Sequence, residues 1–159
     1  NTMKKLLSLL LALACLVMAG CGKNSSASSL PKGMDMQELY TSVTSLDTVP
    51  EMLLLDETMM LRQYGIDQSL VKQAVVAVCL NSLRADEIWL LEAKDDASLE
   101  KLKTLAQNRL TAKSEESITY SPEQYAIIQQ AQLLCQDGYL ILLVGPDAAA
   151  QADLVKNHK

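Results

Sequence analysis

The sequence predicts an α+β domain over residues 36–159: a four-stranded, mainly antiparallel sheet built from two ββα units, with helices packed on one face. Three observations predict it. The runs Ala74–Leu80 and Tyr139–Val144 are continuous and apolar, and each has a second strand-like run within hairpin distance. Asp137-Gly138 separates two such runs, and a two-residue hairpin turn needs positive φ, which Gly gives freely and Asp tolerates. The order strand, turn, strand, helix occurs at 74–110 and again at 131–156, with Asp95 or Asp96 and then Asp147 near the helix starts. Helices of this kind must bury an apolar stripe, and the sheet is the surface available.

Met36–Leu46 places Leu39, Val43 and Leu46 at helical spacing, with Met36 and Tyr40 alongside. Pro50 closes the turn that follows. Met52–Leu55 is a brief strand or buried coil. Asp56 caps a helix over Glu57–Tyr64, and Gly65 fits the left-handed position after it. Asp67 caps a short turn through Leu70 and Val71.

Ala74–Leu80 reads as a strand, residues 81–85 as a loop, and Asp86–Ala93 as its antiparallel partner. Asp95 or Asp96 starts a helix with Leu99, Leu102, Ala106 and Leu110 inward, and Glu100, Lys101, Lys103, Gln107 and Arg109 outward. Ser114–Thr119 is a polar break. In Ser121-Pro122-Glu123-Gln124 the Ser caps, Pro takes the first helical position, and Gln completes a capping box. Tyr125 and Ile128 lie on that short helix. Strands at 131–136 and 139–144 follow, then a last helix after Gly145-Pro146-Asp147 with Ala148, Ala152 and Val155 inward.

Upstream, the chain has a different character. Lys4 and Lys5 precede the apolar run Leu6–Met18, and Ala19-Gly20 are small. This is the layout of a secretory signal over residues 1–20, and the run is shorter than the roughly 20 apolar residues needed to span a bilayer. Asn1 and Thr2 precede Met3 and read as an upstream extension. Met18-Ala19-Gly20-Cys21 fits a lipoprotein signal, with Gly20 flanking the cleavage point and Cys21 receiving the lipid. Met18 stands where Leu is usual. Cys15 competes for the role, but Ala12-Leu13-Ala14 puts the bulky residue one place too late. The alternative is an ordinary signal cleaved at Ala19 or Gly20, which would leave Cys21 as an exposed, oxidisable thiol.

The expected product is held by fatty acyl (palmitate-type) chains at the extracytoplasmic face of the cell membrane, anchored without spanning it. Residues 21–35, rich in Ser and small residues, form a flexible tether with a reach on the order of 20 Å.

The chain carries 14 Lys+Arg and 19 Asp+Glu, net −5. Loss of Lys4 and Lys5 takes the mature chain to −7. Such a surface repels nucleic acid, which is excluded as a partner. Aromatic residues are 4% with no Phe, so the core is aliphatic. An extracytoplasmic location permits a Cys79–Cys135 disulfide, but the two read as buried thiols, since the strand patterns put them on different kinds of face; a Cα separation beyond 7 Å would exclude the bond.

Catalytic chemistry has little to stand on. His158 is the only His and lies beside the C-terminus, so no Ser-His or Cys-His pair is available. There is no Cys/His cluster for zinc, no P-loop and no Gly-rich dinucleotide loop. No catalytic residue, metal or cofactor is assigned. Asp86-Glu87 point to opposite faces of a strand, Asp95-Asp96 cap a helix, and Glu115-Glu116 read as solvated loop. Met59-Met60 and Trp89 read as core or interface.

Four motifs point to a family: Tyr64-Gly65-Ile66-Asp67, Ala85-Asp86-Glu87-Ile88, Tyr120-Ser121-Pro122-Glu123-Gln124 and Gly138-Tyr139-Leu140-Ile141-Leu142-Leu143-Val144. In order and spacing they resemble a bacterial lipoprotein family carrying domain of unknown function 4358, over about Met36 to the C-terminus. Where that family commonly places a residue such as Asn between the Gly and the Tyr, Gly138 is followed directly by Tyr139, which implies a tighter turn. The resemblance brings no catalytic residues. The expectation is a membrane-anchored extracytoplasmic lipoprotein whose domain is a non-catalytic protein-binding module with an envelope protein as partner. The alternative is a small-ligand receptor or accessory envelope enzyme with an unrecognised site.

Overall fold

The computed structural model describes residues 29–159. The leader expected at 1–20 with Gly20, and the lipid acceptor expected at Cys21, lie outside the described residues. The described elements run in the order α1 (Met36–Val43), β1 (Met52–Leu54), α2 (Glu57–Tyr64), a 3-10 turn (Gln68–Leu70), β2 (Val71–Cys79), β3 (Glu87–Ala93), α3 (Asp96–Tyr120), α4 (Pro122–Gln129), β4 (Gln132–Gln136), β5 (Tyr139–Val144) and α5 (Ala148–Lys156).

The sheet has five strands, not four, in the order β1-β2-β3-β5-β4, and every pairing is antiparallel. The extra strand is Met52–Leu54. Three residues carry no period that separates strand from coil, and pairing with Ala77–Cys79 decides the matter. The two expected hairpins are present, and they meet through their second strands, β3 against β5. At the β4–β5 turn Asp137 and Gly138 have φ of 55° and 82°, the positive pair that a two-residue turn requires.

Helices cover both faces of this sheet, which corrects the expected single layer. Val75, Ala77, Ile88, Leu90, Ile141 and Leu143 meet α1 and α5. Val76, Trp89, Leu91, Leu140 and Leu142 meet α2, α3 and α4. The reason is in β3 and β5, which are apolar at consecutive positions. A strand of that kind has an apolar row on each face, and each row needs cover.

Two other expectations change. The polar stretch Ser114–Thr119 does not break the chain, because α3 runs unbroken over 25 residues to Tyr120. It contains no Gly or Pro, and the helix ends only where Ser121 caps α4 and Pro122 occupies its first position. Glu115 and Glu116 are therefore helical. A bulge between Val71 and Gln73 starts β2 three residues before Ala74 and leaves Lys72 unmatched across from β3. Cys79 and Cys135 are both free thiols. They face opposite sides of the sheet, and two strands lie between theirs, a separation of about 14 Å at the usual strand spacing.

Packed chain begins before α1. Leu30 is 2% exposed and Met34 3% exposed, both in the core shared with α1 and α5. The Leu30 amide donates to Asp137 Oδ2 at 2.8 Å and the Met34 amide to Tyr139 Oη at 3.0 Å. Gln73 bridges the same strap, donating to the Met34 carbonyl and accepting from the Met36 amide. Leu30→Ala is expected to lower the unfolding free energy by about 2–3 kcal/mol in urea titration. A change within about 0.5 kcal/mol, normal for an exposed position, would show that the strap is not part of the folded unit.

Candidate functional site

The site is built on the edge of the core under α3. Residues Leu99, Leu102, Ala106, Arg109, Lys113 and Glu116 recur at three- and four-residue steps and so share one side of that helix. Its first half is apolar and packs on the sheet. Its second half is charged, and it meets Glu87 at the start of β3.

Glu87 is 0% exposed. It stands on the strand face that also carries Trp89 and Leu91, because side chains two apart point the same way. A carboxylate there must be fully partnered. Arg109 Nε donates to Oε2 at 2.9 Å and Nη2 to Oε1 at 2.9 Å, a two-pronged contact. The Tyr64 hydroxyl donates to Oε1 at 3.1 Å, and Lys113 Nζ stands 3.6 Å from the same oxygen. Arg109 also lies over the Tyr64 ring, 4.9 Å from its centroid. The Tyr64 ring also meets Trp89, tilted by 40° at 5.2 Å between centroids. Among the described residues the Trp89 indole N–H is buried without a hydrogen-bond partner.

Burial pushes the Tyr64 phenol well above its ordinary value, and the Glu87 charge pushes it further. Burial lowers the Lys113 ammonium, and the attraction of Glu87 does not offset it; Arg109 adds repulsion. Arg109 is raised: burial opposes its charge, but the hydrogen bond and charge of Glu87 outweigh that.

Above this cluster opens a cleft of about 620 Å³. One wall is the β2–β3 loop with Leu83 and Arg84, and the other is the end of α3 with Lys113, Glu116 and Tyr120. The loop is held in place by Gln124 of α4, whose Oε1 accepts the Ala85 amide at 2.8 Å. Arg84 grips Asp86 through Nε at 2.9 Å and Nη2 at 3.2 Å. The Asp86 carboxylate lies beside Gly145, where an added Cβ would stand 3.2 Å from Oδ2. Leu83 is 82% exposed and Tyr120 88% exposed at the rim.

Asp86 and Glu87 do point apart, but neither is simply solvated. Arg109, expected on the solvent side of its helix, reaches Glu87 instead. Glu115-Glu116 are separated by the helix, with Glu116 on the cleft and Glu115 on the surface toward α4. Asp95 caps α3 as expected, accepting the Ser98 amide. Asp147 makes no cap bond and accepts from Thr48. His158 is distant from the cleft in sequence and does not line it. Among the described residues no group of three or more His, Cys, Asp or Glu could hold a metal ion.

Glu87→Gln would leave Arg109 and Lys113 buried without a counter-charge, and is expected to cost about 3–5 kcal/mol of stability by urea unfolding. Glu87→Leu combined with Arg109→Met removes both charges and is expected to cost less than Glu87→Gln; a larger cost would refute the ionic origin of the effect. The raised Tyr64 means that the folded chain holds this proton more tightly than the unfolded chain. Its stabilisation is complete below the ordinary value of about 10 and is lost as pH rises through the raised one. In an absorbance titration Tyr64 should be the last phenol to ionise, and Tyr64→Phe should delete that final step.

Neither curated proteins nor solved structures gave a match to this chain. The family described as Domain of unknown function (DUF4358) matches residues 44–145. That span runs from before β1 to the end of β5 and contains Tyr64, Arg84, Glu87, Arg109, Lys113 and Tyr120, so the whole cleft lies inside it. With well over half of its residues matched, the chain belongs to the DUF4358 family.

Proposed function

We propose that this protein is a bacterial lipoprotein of the cell envelope, anchored through Cys21 at the extracytoplasmic face of the membrane, and that its domain is a non-catalytic protein-binding module. The observation that carries the anchor is the leucine-rich run ending in Met18-Ala19-Gly20-Cys21 behind Lys4 and Lys5. Among the described residues no helix is long and apolar enough to cross a membrane.

The geometry of the domain supports a binding role for the cleft. Leu30, the first buried residue among the described ones, is fixed to Asp137 beside the start of β5. Glu87 pairs with Val144 at the other end of β5. A six-residue strand spans about 20 Å, so the tether joins one end of the sheet and the cleft opens at the other. Eight residues lie between Cys21 and Leu30, a separation for which a Ser-rich tether would reach about 15–18 Å. A lipid on Cys21 would thus present the cleft away from the bilayer, where a protein partner can approach it. An exposed Tyr beside Arg is a pairing enriched at protein interfaces, and the exposed Leu83 adds apolar surface to the same rim.

A small-ligand receptor or accessory enzyme is the second reading, and the cleft with its lowered Lys113 and raised Tyr64 favours it. Crosslinking in intact cells separates the two: a captured envelope protein supports the first reading, and no capture at all favours the second. Cys21→Ala is expected to release the protein from membranes and to abolish incorporation of labelled fatty acid. Labelling that persists in Cys21→Ala and disappears in Cys15→Ala would move the anchor to Cys15.

A further inference from the structure

We propose that the cleft receives a carboxylate side chain of a protein partner on the ammonium of Lys113, while Leu83 and Tyr120 close on the apolar residues flanking it. This rests on the protein-binding reading above and names the chemistry that the partner must bring.

The argument begins with charge matching. Two buried carboxylates, Asp86 and Glu87, face three cations on the cleft: Arg84, Arg109 and Lys113. Arg84 is satisfied by both oxygens of Asp86, and Arg109 by both oxygens of Glu87. Lys113 is left with a share of Glu87 Oε1 at 3.6 Å, outside hydrogen-bond range. An ammonium has three protons to donate, and the cleft is the open side from which acceptors can come. Glu116 borders the cleft one turn further along α3 and its charge also acts on Lys113, but it is exposed and stands in no ion pair within 4.0 Å among the described residues, so it leaves the ammonium without a contact partner on the cleft side.

The second observation is independent of charge. Leu83 and Tyr120 stand almost fully exposed on opposite walls of the same cleft. The backbone beneath Leu83 is fixed, since the Leu83 amide donates to Asn81 Oδ1 at 3.0 Å and the Ala85 amide to Gln124. An apolar pair on held backbone, either side of an under-partnered cation, matches an acidic residue with apolar neighbours. Water alone serves the ammonium but leaves both apolar side chains uncovered.

The test uses the full chain in detergent micelles, with lysines labelled by reductive ¹³C-methylation, which keeps their charge. Three probes are titrated: acetyl-Leu-Glu-Leu-amide, its neutral isostere acetyl-Leu-Gln-Leu-amide, and sodium acetate. The Glu peptide is expected to saturate, to shift the Lys113 methyl signal and to raise the pKa read from it. The Gln peptide is expected to bind about tenfold more weakly or worse, the loss of a charge-assisted hydrogen bond. Lys113→Gln should abolish the difference between the two. Equal binding of both peptides, or no shift at Lys113, overturns the proposal. Acetate matching the Glu peptide overturns the protein source and assigns the site to small carboxylates. Should Lys113→Gln fail to fold, the two peptides on the unaltered chain decide alone. A partner crosslinked in cells whose capture survives Lys113→Gln would leave the protein-binding reading standing and sink this one.

Discussion

Glu87 is a single ionised group placed inside the apolar face of a sheet, and the arrangement around it follows from that cost. A carboxylate at that position is tolerable only with donors on every side. Arg109 and Lys113 come from one helix and Tyr64 from another, so one side chain ties β3 to both α2 and α3. A buried ion pair is weak evidence for net stability, because its attraction is largely offset by the loss of hydration. What it fixes here is position. Leu99, Leu102 and Ala106 could pack on the sheet with α3 slid or rotated by some small amount, whereas Arg109 can reach both oxygens of Glu87 in one register only. Arg109 and Lys113 are four apart and repel each other; the carboxylate between them is what lets both occupy the inner side.

The same fixed helix shapes the cleft. The end of α3 lines the cleft with Lys113, which is buried and reaches back to Glu87 on β3, and with Glu116 and Tyr120, which are exposed. The β2–β3 loop rises opposite them. Gln124 of α4 holds that loop by its Ala85 amide, and α4 is in turn held to α3 by the Ser121-Pro122 junction. The walls therefore belong to one connected structure that rests on Glu87. At the far end of the sheet a second set of polar contacts, Asp137 to Leu30 and Tyr139 to Met34, fixes the entering chain. The pairing of Glu87 with Val144 and of Glu92 with Tyr139 puts the cleft and the packed entering chain at opposite ends of the sheet.

Much of the fold was legible because local chemistry decided it. Asp56 with Gly65, Ser121 with Pro122, and Asp137 with Gly138 each announce a boundary that needs no distant partner. The number of strands and layers was not legible in the same way. Met52–Leu54 becomes a strand only by pairing with β2, and the second helical layer follows from apolar rows on both faces of β3 and β5, a pattern present in the sequence but read as one face. The cleft was hidden for a related reason. Glu87 shares its strand parity with Trp89 and Leu91, and Arg109 continues the three-four spacing of Leu99, Leu102 and Ala106. Both signals were there, but a charged residue on an apolar face looks like an error of register until its partner is seen. Arg109 and Glu87 explain each other, and they are 22 residues apart.

The overall acidity of the chain bears on what can occupy the cleft. With net charge −5 over the full sequence, the surface depresses the local concentration of small free anions. That field fades over a screening length of about 8 Å in physiological salt, whereas Lys113 acts at contact distance. A carboxylate that arrives on a chain already held by Leu83 and Tyr120 does not depend on the bulk anion concentration, because apolar contact makes its encounter with Lys113 intramolecular. A free carboxylate of the same chemistry has no such help. The acidic surface and the under-partnered lysine are therefore not in conflict: together they favour an acidic group borne on an apolar segment over the same group free in solution.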